Sequence, residues 1–262
     1  MTDIFFASLL LGAATGVLAG LFGIGGGIII VPVLGWLFER ANLADEHNMI
    51  MAIATSLATI IPTSIASSYA HHQRQNLLWP VVRKLVPGII MGSLLMSFIA
   101  AHLPAQLLRY FFIIYLLYVA TNMLLQKKTV ISVQNRWQGM DYVAGAIIGG
   151  LSTLLGIGGG TLTVPYLLGK NLVMKNAVAV SSACGLPIAI ASTLGYILAG
   201  WNLTSLSKYS VGFIYLPAFL GIVTSSIFTA SIGVQLASVL PAQHLKRYFA
   251  LLLFIIAAKM LW

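Results

Sequence analysis

Apolar stretches long enough to cross a lipid bilayer occupy most of this sequence. A helix that crosses the hydrocarbon core needs about 20 mostly apolar residues. Cutting the chain at its charged and amide-rich segments leaves eight such stretches, approximately residues 4–38, 49–69, 85–103, 107–125, 142–168, 177–199, 211–235 and 248–262. We therefore predict an all-α, polytopic membrane protein with about eight transmembrane helices. The first stretch is too long for one straight crossing.

The distribution of ionisable residues supports this prediction. Only 7% of the residues are Asp, Glu, Lys or Arg, which is too few for a water-soluble surface and excludes a soluble enzyme. All five acidic residues and all five histidines fall between the apolar stretches or at their ends, where ionisable groups cost least. The net charge of +9 is scattered along the chain, which indicates contact with lipid headgroups and no nucleic-acid partner.

An internal repeat divides the chain into two halves. Residues 16–33, GVLAGLFGIGGGIIIVPV, match residues 149–166, GGLSTLLGIGGGTLTVPY, with ten identities in 18 positions. Two further matches follow in the same order, the second being LPAQ at Leu103 and Leu240. We predict a first transmembrane repeat over residues 1–125, a basic connecting loop over 126–141 and a second transmembrane repeat over 142–262. The distribution of Lys and Arg leaves parallel and inverted repeats both open.

Each half carries the motif GIGGG, at residues 23–27 and 156–160. Each glycine disfavours helix by about 1 kcal/mol relative to Ala, so the first helix of each half should break there. The half-helix after the break directs free N–H groups and the positive end of its dipole into the break, which favours an anion as ligand. Close helix packing is the alternative role of such glycines, and it is the role that suits Gly12 and Gly16.

Hydroxyl side chains form a stripe on the second helix of each half. At 100° per residue, Thr55, Ser56 and Thr59 lie on one side of the first copy, and Ser181 and Ser182 belong to the stripe of the second copy. Such a stripe should face protein or water, and interhelical hydrogen bonding is the alternative to substrate contact. The candidate substrate-binding residues are Gly25, Gly26, Gly27, Thr55, Ser56, Gly158, Gly159, Gly160, Ser181 and Ser182.

No catalytic or metal site is predicted. The apolar stretches contain no mid-membrane carboxylate, which disfavours cation coupling. The single cysteine, Cys184, has no CxxC partner, and we expect neither a metal nor a cofactor. The alternative functions are an intramembrane hydrolase that uses a serine with His71, His72 or His102, and a membrane scaffold that does not transport.

These motifs resemble the TauE/SafE family of membrane transporters, the sulfite exporter or toluenesulfonate uptake permease family. The resemblance rests on GIGGGxxxVP in both halves, AIATSL followed by HHQRQN, VPGIIMG, GLPIAIASTLGY and LKRYFALLLF, and it covers nearly the whole chain. It implies a secondary transporter or facilitator of sulfur oxyanions or organosulfonates in the bacterial inner membrane, with a small anionic substrate and the lipid bilayer as partners. Substrate, direction, coupling ion and oligomeric state stay open.

Overall fold

The computed structural model describes residues 2–22, 26–43, 45–125, 140–203, 206–239 and 242–261. Within these ranges the chain forms ten α-helices, one short 3-10 helix and one two-stranded hairpin. The helices are α1 (Thr2–Phe22), α2 (Gly27–Arg40), α3 (Asn48–Gln73), α4 (Trp79–Ala101), α5 (Ala105–Leu125), α6 (Asp141–Leu155), α7 (Gly160–Gly169), α8 (Met174–Gly200), α9 (Leu216–Val239) and α10 (Ala242–Leu261). The 3-10 helix is Asp45–His47, and β1 (Ser210–Val211) pairs antiparallel with β2 (Ile214–Tyr215). The predicted all-α, polytopic architecture is confirmed.

Four of these helices, α3, α4, α5 and α8, are long and apolar enough to cross a bilayer. Shorter apolar helices occur within α1, α6, α9 and α10. The eight predicted stretches become ten helices because the first and the fifth each divide at their glycines, as the helix-breaking cost of GIGGG predicts. The seventh stretch becomes helical only at Leu216, because the strands of the hairpin precede it.

The second broken helix turns back on itself. The 15 residues of α6 and the 10 residues of α7 would place their outer ends more than about 35 Å apart if the two helices lay in line. Instead, Asp141 at the start of α6 accepts a hydrogen bond of 2.7 Å from the Tyr166 hydroxyl and another from the Lys170 amine just after α7. Both outer ends therefore lie on the same face, and α6 and α7 form a helical hairpin.

The first broken helix reverses in the same way. Phe38, near the end of α2, packs edge-on against Tyr215 with ring centroids 5.4 Å apart. Tyr215 directly precedes α9, and Gly221 in the first turns of α9 lies against Phe5 and Ser8 at the start of α1. The end of α2 and the start of α1 are thus on one face, so α1 and α2 are also a hairpin.

Helices that correspond in the two halves run in opposite directions. In the pair α3 and α8, the Ser68 hydroxyl donates to the carbonyl of Ser182 over 3.1 Å, whereas Ser64, one turn earlier, lies beside Gly185. The pair α5 and α10 is also antiparallel, since a residue near the start of α5, Arg109, donates to the carbonyl of Met260 at the end of α10. The α1–α2 hairpin therefore enters from one face of the protein and the α6–α7 hairpin from the other.

Glycines set the closest helix contacts outside the hairpin tips. Gly12 and Gly16 of α1 lie against Ser225 and Thr229 of α9, and a methyl group on either glycine would overlap its neighbour. Gly92 of α4 meets the backbone of α6 in the same manner. This geometry agrees with the packing role that the sequence favours for Gly12 and Gly16.

Candidate functional site

The tips of the two hairpins meet beside α3. A methyl group on Gly27, the first residue of α2, would lie 2.5 Å from the carbonyl oxygen of Gly156 and 3.3 Å from the hydroxyl oxygen of Ser56. The Ser56 hydroxyl itself donates to that carbonyl over 2.9 Å. Two GIGGG segments that enter from opposite faces are therefore in direct contact next to a buried serine.

Both short helices begin at this contact without a side-chain cap. The N-cap residues are Gly26 for α2 and Gly159 for α7, and neither helix has a capping side chain. The amide groups of Gly160 and Thr161 lie in the first turn of α7, where no helical acceptor exists for them. The positive dipole ends of two helices therefore converge on the tips, an arrangement that favours negative charge.

Two glycines of the second tip adopt backbone conformations that other residues rarely take. Gly156 ends α6 with φ of 67°, and Gly159 precedes α7 with φ of 75°. These left-handed residues reverse the chain between the two legs of the hairpin, and glycine adopts them without the steric cost of a Cβ atom. Gly26 differs, because its φ of −66° is open to any residue.

Most of the predicted hydroxyl groups bond to protein atoms. Besides Ser56, Thr55 uses its hydroxyl oxygen to accept the backbone N–H of Tyr215 over 3.0 Å, which ties the β-hairpin to α3. The Ser182 hydroxyl donates to a carbonyl of its own helix. Ser181 is buried, with 3% of its surface exposed, and its hydroxyl has no hydrogen-bond partner.

The other predicted glycines belong to the same cluster, with one outside the described residues. Gly158 lies beside Ile60 of α3, and its carbonyl faces Gly185 of α8. Gly25 is outside the described residues, as are positions 126–139 of the predicted connecting loop.

Two buried hydroxyl residues in the α6–α7 hairpin are not among the residues predicted from sequence. Ser152 and Thr163 are fully buried, and neither hydroxyl has a hydrogen-bond partner. Each hydroxyl oxygen lies 3.4 Å from the position that a methyl group on Gly159 would occupy. The sequence holds one signal for them: the residues 133 positions earlier, in the first copy of the repeat, are the apolar Ala19 and Ile30.

Comparison with known proteins identifies the chain. The family profile described as "Sulfite exporter TauE/SafE" matches residues 8–260. The chain belongs to the TauE/SafE family. A "Probable membrane transporter protein" of Haemophilus influenzae is 37% identical over 253 residues, which are 96% of this chain and 96% of the relative. "Probable membrane transporter protein MJ0441" of Methanocaldococcus jannaschii is 27% identical over 245 residues, 91% of this chain and 88% of the relative. No solved structure matches.

Family and fold together make this TauE/SafE protein a multi-pass membrane transporter. An ionic cluster closes the outer end of its second hairpin, where Lys170 bonds to Asp141. Burial lowers the pKa of the Lys170 amine, but its hydrogen bonds to Asp141 and Tyr166 outweigh burial and raise that pKa above its ordinary value. The amine therefore stays charged and holds the two legs of the hairpin together.

The histidines considered for a hydrolase lie at helix ends. His71 and His72 belong to the last turn of α3, and His102 directly follows α4. His72 accepts a hydrogen bond from the Trp79 indole over 3.4 Å, and His102 pairs with the carbonyl of Phe98 over 2.8 Å. Within the described ranges, no hydrogen bond joins a serine hydroxyl to a histidine ring.

Proposed function

We propose that this TauE/SafE protein is a secondary transporter or facilitator that carries a small anion, a sulfur oxyanion or an organosulfonate, across the bacterial inner membrane. The observation that carries the proposal is the contact between the two GIGGG tips, where α2 and α7 both begin. Each start contributes uncapped amide groups and the positive end of a helix dipole. The sequence places none of its acidic residues in either tip, so no full negative charge there would repel an anion.

In this proposal the two halves, residues 1–125 and 142–262, act as inverted repeats. The antiparallel directions of α3 and α8 support this relation, because repeats related by an axis in the membrane plane have corresponding helices that run oppositely. Substrate sites of such transporters lie at the interface between the repeats. The α1–α2 hairpin then closes the site from one face and the α6–α7 hairpin closes it from the other.

The predicted residues divide into two roles under this proposal. The substrate approaches backbone amides at Gly27 and at residues 158–160, and Ser181 offers a free hydroxyl. Gly26 is the N-cap residue at which α2 begins. Thr55 and Ser56 hold neighbouring elements in place through the bonds described above.

The test is flux into proteoliposomes that contain the purified full-length protein. We expect uptake of labelled sulfite and methanesulfonate above that of protein-free liposomes, and no uptake of tetramethylammonium, a cation of similar size. The reason is that α2 and α7 both direct uncapped amides and the positive ends of their dipoles into the tips, where the sequence has no acidic residue. Equal uptake of methanesulfonate and tetramethylammonium would contradict the proposal.

A further inference from the structure

We infer that the α6–α7 hairpin supplies a subsite for the anion, formed by the hydroxyls of Ser152 and Thr163 and the amides of Gly160 and Thr161, and that this subsite takes a singly charged oxyanion. The inference rests on the proposed anion transport, for which it names the binding groups and the charge class of the substrate.

Two unpaired hydroxyls lie on the two legs of this hairpin. Ser152 lies in the last turn of α6 and Thr163 in the first turn of α7, so the two legs of the hairpin place them on either side of Gly159. Both side chains are fully buried, and neither hydroxyl has a hydrogen-bond partner. Buried polar groups are nearly always paired, so two unpaired hydroxyls that converge on one point indicate a missing ligand.

The backbone at the start of α7 adds two free amides to these hydroxyls. The carbonyl of Gly159 already accepts the amides of Leu162 and Thr163, over 3.0 and 2.8 Å. The amides of Gly160 and Thr161 have no acceptor within α7, and they belong to the turn that carries Thr163. Two hydroxyl donors and two amide donors can therefore act on the oxygens of one ion.

The first hairpin lacks the corresponding groups. Its counterpart to Thr163 is Ile30, a buried apolar residue, and the position matching Ser152 is Ala19. The hydroxyl beside Gly26 belongs to Thr15, and it donates to the carbonyl of Leu11 in its own helix over 2.8 Å. The described residues at the tip of α2 thus offer backbone amides and no unpaired hydroxyl, whereas the polar cradle at the tip of the α6–α7 hairpin also has the hydroxyls of Ser152 and Thr163.

The preference of the subsite for a singly charged anion follows from the lack of basic residues in α6 and α7. Neither α6 nor α7 carries a Lys, Arg or His, so the positive charge that this hairpin brings to the tip is the partial charge of a helix dipole, about half an elementary charge. The cost of removing an ion from water rises with the square of its charge, so a dianion pays about four times the cost of a monoanion of the same size. Neutral donors can offset the smaller cost, and the subsite therefore selects a sulfonate or hydrogen sulfite over sulfate.

Ile188 of α8 covers this cradle. The end of its side chain, Cδ1, lies 2.5 Å from the position of a methyl group on Gly159. A flexible side-chain end can move aside, so we expect an ion to enter by displacing Ile188 and to be sealed from water when Ile188 returns.

The experiment compares Ser152→Ala and Thr163→Val with two matched controls in proteoliposomes of the full-length protein. Ser97→Ala removes a buried hydroxyl that donates within its own helix to Leu94 over 2.7 Å. Thr121→Val removes an exposed one that donates to Leu117, also over 2.7 Å. Hydrogen bonds to charged groups are strong, so we expect each site variant to raise the KM for methanesulfonate about tenfold, with control variants within about twofold. Thr163→Ser keeps the hydroxyl and should keep the wild-type KM.

Competition between anions in the same liposomes tests whether the subsite prefers a singly charged anion. We expect unlabelled methanesulfonate to inhibit uptake of its labelled form at least tenfold more strongly than sulfate does, because the dianion carries the larger desolvation cost. Inhibition of equal strength would overturn the selection of a monoanion.

The mutant experiment has separate outcomes for the subsite and for the proposed function. If Ser152→Ala and Thr163→Val both keep the KM of the wild-type protein, the subsite is overturned, whereas the proposed anion transport still holds. Absence of any anion uptake by the wild type would instead contradict the proposed function. If Thr163→Val does not fold, the comparison of Thr163→Ala with Thr163→Ser decides the role of the hydroxyl.

Discussion

The hydroxyl of Ser56 donates a hydrogen bond of 2.9 Å to the carbonyl of Gly156, a residue 100 positions later in the chain. Ser56 belongs to α3, and Gly156 is the residue at which α6 ends. A carbonyl at the end of a helix has no partner within that helix. A serine of the first half thus supplies the hydrogen bond that this carbonyl of the second half lacks. The bond joins the two halves at the point where their GIGGG segments meet.

Replacing this serine should loosen the second hairpin. Ser56→Ala leaves the Gly156 carbonyl buried without a partner, and we expect the free energy of unfolding to fall by about 1–3 kcal/mol. Thermal unfolding in detergent measures the effect. Ser182→Ala is the control, because that hydroxyl donates to Val178 in its own helix and its loss should change stability by less than about 0.5 kcal/mol. Equal losses of stability in both variants would show that the bond between the halves has no special role.

Adjacent glycines in the first tip should respond differently to the same substitution. A methyl group on Gly27 would lie 2.5 Å from the Gly156 carbonyl oxygen and 3.1 Å from Cα of Ile157, and backbone atoms cannot move away easily. A methyl group on Gly26 would lie 3.1 Å from Thr15 Cβ and from the flexible end of Ile30. We expect Gly27→Ala to abolish anion uptake in proteoliposomes and Gly26→Ala to retain most of it, after correction for inserted protein. Loss of uptake in both variants would contradict the importance of the contact between the tips.

Glycines in the helix contacts should affect stability without changing selectivity. A methyl group on Gly92 would overlap the backbone of Ala146, so Gly92→Ala should separate α4 from α6 and destabilise the protein by about 1–3 kcal/mol. Gly35→Ala is the matched control, because its nearest neighbour would be Met49 Sδ at an ordinary 3.8 Å. Thermal unfolding measures the effect on stability, and the ratio of methanesulfonate to sulfate uptake measures the effect on selectivity. A changed ratio in Gly92→Ala would assign that glycine to the substrate path.

The break in each GIGGG helix could be predicted from sequence, whereas its direction could not. The free energy by which glycine disfavours a helix depends only on the local sequence, so four glycines in five positions predict a break wherever they occur. The reversal of the chain depends on contacts such as that of Asp141 with Lys170, which lie 29 residues apart. The local pattern does not specify that contact, and a straight, interrupted helix would have the same sequence periodicity.

For the hydroxyl residues, too, the sequence predicts positions in a helix but does not predict their partners. Helical periodicity identified the buried stripe that contains Thr55, but its partner, the backbone of Tyr215, lies 160 residues away. Ser152 and Thr163 were not predicted because each has one other Ser or Thr in its helix, Thr153 or Thr161, and such a pair does not form a polar stripe. They converge only after the chain has turned back at Gly159.

The hairpin architecture also changes how the basic residues are assigned to the two faces. The second leg of each hairpin returns the chain to the face at which the first leg began. One face of the protein therefore holds the ends of α3, α5 and α7 and the starts of α4, α6, α8 and α10. By sequence, the segments at these ends and starts and the linker that joins α5 to α6 carry ten of the 14 Lys and Arg residues: Arg74, Arg83, Lys84, Lys127, Lys128, Arg136, Lys170, Lys175, Lys246 and Arg247. The opposite face has Arg40, Arg109, Lys208 and Lys259. An excess of Lys and Arg marks the cytoplasmic side of a membrane protein.

We therefore expect the start of α6 to face the cytoplasm and the end of α2 to face the opposite side. Single cysteines in a Cys184→Ala background report on this orientation, since Cys184 is buried and its replacement leaves both surfaces unchanged. Met140→Cys and Ala41→Cys place the label at exposed positions before α6 and after α2. A membrane-impermeant maleimide should modify Ala41→Cys in intact cells and Met140→Cys only in inverted membrane vesicles, because the loops with more Lys and Arg are retained in the cytoplasm. Modification of both cysteines from one side would contradict the opposite entry of the two hairpins, and the reverse pattern would contradict the orientation alone.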